Sequence, residues 1–182
     1  MKTLKFLGIS GSLRQKSTNA GLLRAASQAL PANVELAQAN LLDIPFYNAD
    51  VSEKPASVVR VLEQLRQADA LVLACPEYNY SVAPALKNIL DWASREPNNE
   101  LLAGKPVAIL GAGGGMGTSR AQYHLRQICV YLDLHPLNKP EVFANAFAGG
   151  FDSDGNLTDP TLLKLVSDQM QALIKWTEKL GG

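Results

Sequence analysis

The sequence has little of what marks several classes of protein. It contains only two cysteines, Cys75 and Cys129, which excludes a disulfide framework and any CxxC motif. Each lies in an apolar stretch, so we expect two small buried side chains. No apolar run approaches the roughly 18 residues of a membrane span, and the amino-terminal run is too short and interrupted for a signal peptide. We therefore expect a cytoplasmic protein that does not enter a membrane.

Charge of one sign is not in excess either. The 182 residues include 17 Lys and Arg and 17 Asp and Glu, a formal net charge of zero. Proteins that hold nucleic acid through its phosphates are strongly basic, so nucleic acid is not an expected partner. The charge is nevertheless uneven, because residues 1–34 contain no acidic residue and five cations: Lys2, Lys5, Arg14, Lys16 and Arg24. We expect this segment to bind one small anion.

Apolar periodicity predicts an α/β fold in a single domain over residues 1–182. Short apolar or alternating runs predict five strands at 4–9, 34–36, 70–74, 107–110 and 134–137. Apolar residues at helical spacing lie between and after these strands, which predicts a parallel sheet covered by helices on both faces. For five strands we expect the flavodoxin-like three-layer sandwich of strand order 2-1-3-4-5.

In that order, a ligand binds where the loops after strands one, three and four meet, at residues 10–19, 76–84 and 111–118. The first loop leads from Ser10 into the amino terminus of a helix, which attracts anions. Its side chains include four that can donate hydrogen bonds and one cation: Ser12, Ser17, Thr18, Asn19 and Arg14. Helix capping would explain one of these residues but not the cluster, so the loop predicts a phosphate site.

The other two loops suit a flat heterocycle. Residues 76–84 contain two tyrosines, an asparagine and two prolines, which together make a stiff platform with polar edges. The alternative is an ordinary turn whose tyrosines pack against the following helix. Residues 111–117 contain five glycines, which would bring backbone N–H groups close to a ligand, although a tight turn accounts for two or three of them.

Known catalytic motifs are incomplete in this chain. The first loop lacks the Gly-Lys pair of a P-loop, and residues 8–12 lack the final glycine of a nucleophile elbow. The glycines at 111, 113 and 117 do not fit the dinucleotide fingerprint. His124, His135 and Glu77 form no recognisable acid/base or metal cluster in the sequence. We therefore assign no catalytic side chain and no metal ligand.

Several motifs together resemble the NADPH-dependent FMN reductase family, and most closely its chromate/quinone reductase branch. They are GSLR at 11–14, Ser17, Asn19, PEYNYS at 76–81, LKNILDW at 86–92, RAQYHLRQ at 120–127 and NKPE at 138–141. They occur in order across about residues 6–143. The resemblance implies a flavodoxin-like fold, bound FMN, NADPH or NADH as the reductant, and a homodimer or homotetramer.

The resemblance also implies roles for individual residues. The FMN phosphate would be held by Ser12, Arg14, Ser17, Thr18 and Asn19, with Ser10 at the start of the same loop. The isoalloxazine and ribityl chain would lie against Pro76, Glu77, Tyr78, Asn79 and Ser81, and the other edge of the flavin against Gly114, Gly115 and Gly117. A subunit interface would contain Arg120, Tyr123 and Glu141. The chain departs from the family pattern at Ala85, which we interpret as helix chemistry, and at Thr118-Ser119, which we expect at the edge of the substrate pocket.

The function implied is an NAD(P)H oxidoreductase in which the flavin carries the chemistry and the protein orients it. Hydride passes from NADPH or NADH to N5 of FMN, and two electrons then pass to a small-molecule acceptor such as a quinone, free flavin, azo compound or metal oxyanion. The alternative is a flavodoxin-type electron carrier without reductase activity, which the lack of an acidic excess disfavours. A non-redox domain that binds a phosphorylated ligand is the third possibility.

Overall fold

A computed structural model describes residues 3–181, so Lys2 lies outside the described chain. The strands are β1 (Leu4–Ser10), β2 (Val34–Gln38), β3 (Ala70–Ala74), β4 (Glu77–Tyr78), β5 (Ser81–Val82), β6 (Pro106–Gly113), β7 (His135–Pro136) and β8 (Val142–Asn145). The helices are α1 (Thr18–Gln28), α2 (Ala56–Gln67), α3 (Pro84–Ala93), α4 (Ser119–Tyr131) and α5 (Pro160–Gly181). Within residues 3–181, each helix is too short or too polar to cross a bilayer.

The central sheet is parallel and confirms the expected strand order. Its order is β2-β1-β3-β6, and both β7 and β8 pair with β6 on the far side. β7 pairs with the start of β6 at Pro106 and Val107, whereas β8 pairs with its end at Leu110 to Gly113. The fifth position of the predicted order is thus divided between two short strands, so the sheet has six strands instead of five.

Helices cover both faces of this sheet, as a three-layer sandwich requires. Every residue of β3 is buried, and its side chains alternate between the two faces. Leu71 and Leu73 pack into the cluster that includes α2, α3 and α4, whereas Val72 packs into the cluster that includes α1 and α5. The central position of β3 places its carboxyl end, and the loop that follows it, in the middle of one edge of the molecule.

Both cysteines are buried in the core, as expected. Cys75 follows β3 and Cys129 lies on α4. Burial raises the pKa of each thiol to about 12, so neither is ionised near neutral pH.

The glycine loop is shorter than predicted, because β6 continues through Gly113. A Cβ atom on Gly111 would lie 2.1 Å from Oγ1 of Thr118, and one on Gly113 would lie 2.5 Å from the carbonyl oxygen of Gly117. These two glycines make room for the chain that folds back over the strand. Both glycines are therefore required by the packing of β6 itself.

Candidate cofactor site

Three loops meet at the carboxyl ends of β1, β3 and β6 and line a cavity of about 160 Å³. The predicted site residues in its lining are Ser12, Arg14, Ser17, Thr18, Asn19, Pro76, Glu77, Tyr78 and Gly114. Ala112, Gly113, Ala146 and Phe147 complete it. The fold therefore brings together most of the residues that the sequence assigned to one site.

The amino terminus of α1 supplies anion-binding groups to this cavity. Ser17 is the cap residue, and its Oγ accepts a hydrogen bond of 3.2 Å from the N–H of Ala20. The N–H groups of Thr18 and Asn19 have no acceptor within residues 3–181. Unpaired N–H groups at a helix start carry partial positive charge, so this end of the cavity fits a phosphate group.

Asn19 has a structural role that its sequence position did not reveal. Its amide donates a hydrogen bond of 2.9 Å to the carbonyl of Ala112 and accepts one of 3.0 Å from the N–H of Ala112. The side chain is buried and joins the start of α1 to the end of β6. Asn19 therefore offers a ligand its backbone N–H, while its side chain holds the two loops together.

The first loop is also shaped by its own serines. Ser10 is outside the cavity lining, and its Oγ accepts a hydrogen bond of 3.2 Å from the N–H of Ser12. The Oγ of Ser12 in turn accepts one of 3.4 Å from the N–H of Arg14. These bonds fix the turn that carries Ser12 and Arg14, both of which line the cavity.

The second loop is a hairpin formed by β4 and β5, which the sequence analysis did not predict. Its central residues, Asn79 and Tyr80, have φ of 49° and 68°. Positive φ at both central residues is what a two-residue hairpin requires, although glycine usually supplies it. The guanidinium of Arg120 lies 3.7 Å from the centre of the Tyr80 ring and holds this turn against α4.

Glu77 is engaged within the protein rather than free for a ligand. Its buried carboxylate accepts a hydrogen bond of 2.6 Å from Nε of Arg120 and bonds of 3.1 Å from the N–H groups of Arg120 and Ala121. It therefore caps α4, whose own cap residue Thr118 makes no side-chain cap bond. The same pair raises the pKa of the Arg120 guanidinium, chiefly through the hydrogen bond with Glu77.

The glycines of the third loop fall into two groups. Gly117 has φ of +61°, and a Cβ atom there would lie 2.8 Å from the Cβ of Phe143, so the chain itself requires glycine. Gly114 lines the cavity, and Gly115 is its exposed neighbour. A Cβ atom on either would meet no other atom within 4 Å. Their lack of a side chain leaves open backbone beside the cavity, which suits the close approach of a flat ring.

A second cavity of about 430 Å³ adjoins the first and shares Arg14 and Tyr78 with it. The rest of its lining is Gly11, Leu13, Pro84 and Ala85. Ala85 therefore lines a cavity beside the candidate cofactor site. Its effect extends beyond the stability of α3, which was the role expected from the sequence. Thr118, which we expected at the pocket edge, is fully buried and accepts a hydrogen bond of 2.9 Å from Gln122.

Ser81 belongs to another part of the surface. It lines an open cavity of about 600 Å³ between α3 and α4, where its Oγ lies 3.1 Å from Nδ1 of His124. That cavity is larger than the other two, but its charged groups include Lys87 and Asp91, which pair with each other. Asn79, Gly115 and Gly117 also lie outside the lining of the cofactor cavity.

The cations of the amino-terminal segment do not converge on the cavity. Nζ of Lys16 lies 2.9 Å from the carboxylate of Asp154, and Nε of Arg24 donates a hydrogen bond of 2.7 Å to Asn156. Among the cations of residues 3–34, Arg14 is the one that lines the cavity. The expectation that this segment concentrates positive charge on an anion is therefore correct only for Arg14.

Sequence reasoning missed Ala146 and Phe147, which follow β8. The N–H of Ala146 donates a hydrogen bond of 2.7 Å to the carbonyl of Gly113, and this bond brings the segment to the cavity rim. Phe147 is 83% exposed there. No sequence signal could have placed these residues without β8, which was itself not predicted.

Comparisons with known proteins agree with this geometry. A family model for NADPH-dependent FMN reductases matches residues 4–149. The chain is 50% identical over 182 residues to an NAD(P)H-dependent FMN reductase of Pseudomonas aeruginosa, with 98% of each chain covered. It is 40% identical to a quinone reductase of Escherichia coli, with 97% of each covered. The structure of FerB, a flavoenzyme NAD(P)H:(acceptor) oxidoreductase from Paracoccus denitrificans, aligns with a TM-score of 0.87 at 29% identity, covering 97% of this chain and 98% of FerB.

The motifs of the sequence, the flavodoxin-like sheet order and the family match lead to one assignment. The chain belongs to the NADPH-dependent FMN reductase family and is an NAD(P)H-dependent oxidoreductase that uses FMN.

Proposed function

We propose that the 160 Å³ cavity at the start of α1 holds the phosphate end of FMN. The observation that carries this proposal is the pair of unpaired N–H groups on Thr18 and Asn19 at a helix terminus. The side chains of Ser12, Arg14 and Thr18 are placed to add hydrogen bonds and one positive charge. Ser10, Ser17 and the amide of Asn19 keep this loop in shape.

The flat part of the cofactor is assigned to the two remaining loops. When bound, FMN accepts a hydride equivalent and passes electrons on, which supplies the redox chemistry that the side chains lack. Pro76 and Tyr78 offer a platform, and the open backbone of Gly114 and Gly115 offers N–H groups. N–H groups beside a ring stabilise negative charge that develops on it. Glu77, Asn79, Ser81 and Gly117 act by shaping the hairpin and the glycine turn.

The acceptor that we propose is a quinone. The 430 Å³ cavity beside the proposed cofactor site is walled mainly by Leu13, Tyr78, Pro84 and Ala85, and Arg14 lines both cavities. Apolar walls with one cation suit a flat ring that gains negative charge as it is reduced. The relatives named quinone reductase and NAD(P)H:quinone oxidoreductase support the same acceptor class.

Steady-state kinetics of the purified chain tests both proposals. We expect a yellow flavin spectrum, NADPH or NADH oxidation that depends on FMN, and a higher kcat/KM for quinones than for free flavin, azo dyes or chromate. A chain that binds no added FMN would exclude the cofactor assignment. A chain that binds FMN but reduces chromate or azo dyes faster than quinones would exclude the quinone assignment alone.

We also propose that the chain forms a homodimer or homotetramer through the surface around α4. Tyr123 is 67% exposed, and Val130 and Tyr131 on the same helix are exposed as well. Exposed aromatic residues are enriched at subunit interfaces. Arg120 and Glu141 could join such an interface only while keeping their bonds to Glu77 and Lys139. Trp92 on α3 is an aromatic residue too, but it is buried and cannot take part in such an interface.

Sedimentation of the wild type and of Tyr123→Asp tests the interface. We expect an oligomer that the substitution weakens, because burying an unpaired carboxylate in an interface is costly. A monomeric wild type, or an oligomer that Tyr123→Asp leaves intact, would contradict the proposal.

Residues 1–182 are proposed to act as one domain in the cytoplasm. Limited proteolysis should leave the chain whole, and cell fractionation should recover it with cytoplasmic enzymes.

A further inference from the structure

The loop between β8 and α5 contains a turn, residues 151–157, that is organised by a single carboxylate. Oδ1 of Asp152 accepts hydrogen bonds of 2.9 and 2.8 Å from the N–H groups of Asp154 and Asn156. Its Oδ2 accepts one of 2.9 Å from the side chain of Asn156. A bridge between Phe151 and Leu157 closes the turn. Because these bonds lie within the turn, they fix its conformation, and the turn packs on its neighbours as a rigid unit.

That surface is packed against the first turns of α1. The carbonyl oxygen of Gly155 lies 1.8 Å from the place where a Cβ atom of Gly21 would be. Gly155 has φ of +78°, and a Cβ atom on it would lie 2.9 Å from the carbonyl oxygen of Lys16 and 3.0 Å from that of Ser17. Both contacts join backbone to backbone, and only glycine permits either of them.

Polar contacts hold the two segments in this position. Arg24 donates hydrogen bonds of 2.7 Å to Oδ1 of Asn156 and 3.4 Å to the carbonyl of Asp154. Lys16 and Asp154 form an ion pair of 2.9 Å, but both side chains are more than half exposed, so this pair contributes little. The partly buried bond from Arg24 is the stronger of the two connections.

We propose that the 151–157 turn is a positioning device for the phosphate end of the cofactor site. It contacts the backbone of Lys16 and Ser17 without lining the cavity, and so fixes where the N–H groups of Thr18 and Asn19 point. This inference rests on the proposed binding of FMN. It adds that the preference for a phosphorylated flavin over riboflavin depends on residues that lie outside the cavity lining.

The test compares the binding of FMN and riboflavin by the full chain, followed by quenching of flavin fluorescence. Arg24→Met removes both bonds from Arg24 and keeps a good helix former in α1. Gly155→Ala puts a methyl group against the backbone of Lys16 and Ser17 and keeps every polar side chain. Lys164→Met is the matched control, because it removes an exposed ion pair of 2.6 Å with Asp168 that involves no residue of the 151–157 turn or of α1.

We expect Arg24→Met and Gly155→Ala each to raise the dissociation constant of FMN by about 3- to 10-fold, which is the effect of losing one hydrogen bond of ordinary strength. The dissociation constant of riboflavin should stay within about 2-fold, and Lys164→Met should change neither. If both variants lower only the melting temperature, or weaken FMN and riboflavin equally, the turn has a merely structural role and the proposal is wrong. If the wild type binds neither flavin, the proposed function fails first, and this inference fails with it.

Discussion

Glu77 and Asn19 lie at the cavity, yet the polar atoms of both side chains are used by the protein. Glu77 joins the hairpin to α4, and Asn19 joins α1 to β6. Both side chains are buried, so removing either would leave polar partners without a bond in the interior. Substitutions at these positions should therefore change stability and cofactor binding together, whereas Ser12 and Arg14 can be changed with less effect on the fold.

Ala85 offers a way to change the acceptor without changing the cofactor. We predict that Ala85→Leu raises KM for quinones several-fold, because the larger side chain fills part of the 430 Å³ cavity. The dissociation constant of FMN should not change, since Ala85 is absent from the cofactor cavity lining. Ala56→Leu, the same substitution at the exposed start of α2, is the control for steady-state kinetics. Equal effects of the two substitutions would refute the prediction.

Phe147 should contribute to flavin binding although no motif includes it. We predict that Phe147→Ala raises the dissociation constant of FMN by up to about 10-fold, because an aromatic ring at the rim contributes roughly 0.5–1.5 kcal/mol beyond its buried area. The melting temperature of the flavin-free chain should be unchanged, since the ring is exposed there. Phe147→Tyr keeps the ring and should bind FMN as the wild type does. Fluorescence titration would contradict the assignment if Phe147→Ala also bound like the wild type.

At the scale of elements, the sequence predicted the main frame of the fold. A short apolar run located β1, and a uniformly apolar run located β3. The helical period of Val58, Val61 and Leu65 located α2. α3 begins at Pro84, and proline suits the first position of a helix because its missing N–H would be unpaired there. These features depend on burial of a whole face, and the periodicity of apolar residues records burial directly.

The elements that were missed depend on contacts distant in sequence. β8 has four residues and is defined by pairing with β6, and the hairpin strands have two residues each. The end of β6 reads as a turn because Gly111 and Gly113 are there to accommodate Thr118 and Gly117, a reason visible only in three dimensions. Phe147 follows β8, so it was not predicted as a site residue either. Local pattern could not show any of these, because none buries a complete periodic face.

The 151–157 turn should make stability depend on pH in the acid range. Hydrogen bonds, first from the Asn156 side chain, hold the pKa of Asp152 below its usual 3.8. A carboxyl with a lowered pKa in the folded state stabilises the fold above that usual value, and this contribution disappears as pH falls through the folded value. We predict that Asp152→Asn is less stable than the wild type near neutral pH and that the difference shrinks below about pH 4.

Urea unfolding of both proteins between about pH 6 and about pH 2 measures this difference. Other carboxyls with lowered pKa, such as Asp43 beside Arg60, affect both proteins alike and cancel in the comparison. A difference that stays constant over the whole range would show that the Asp152 carboxylate does not stabilise the turn.

At the scale of the whole molecule, the uneven charge of the sequence is evened out in space. The chain segment rich in cations folds against the acidic turn that precedes α5, where Lys16 meets Asp154 and Arg24 meets Asn156. Arg14 remains as the cation in the cofactor cavity. The charge of Arg24 also acts on the carboxylate of Asp152, so carboxylates offset both Lys16 and Arg24, and strong long-range attraction of anions is not expected.

This arrangement predicts weak dependence of FMN binding on salt. Between about 0.05 and 0.5 M salt the dissociation constant of FMN should rise only several-fold, because the proposed phosphate site has one cation and neutral N–H groups. Arg14→Gln should remove most of that dependence and weaken FMN more than riboflavin. Lys16→Gln should leave the salt dependence as it is, since Lys16 is paired with Asp154. The prediction would be wrong if FMN binding by the wild type depended steeply on salt and neither Arg14→Gln nor Lys16→Gln removed that dependence. That result would show that charges beyond Arg14 and Lys16 attract the cofactor.

The glycines of residues 111–117 divide into those that the fold requires and those that it does not, and this division matters for protein engineering and for evolution. Gly111, Gly113 and Gly117 are fixed by their own chain, so variation there would be selected against in any lineage that keeps this fold. Gly114 and Gly115 have open space around them. With FMN in the proposed position, a new side chain at Gly114 would meet the ligand before it met the protein. A library confined to these two codons could therefore alter the reduction potential of the cofactor or the range of acceptors while the scaffold stays intact.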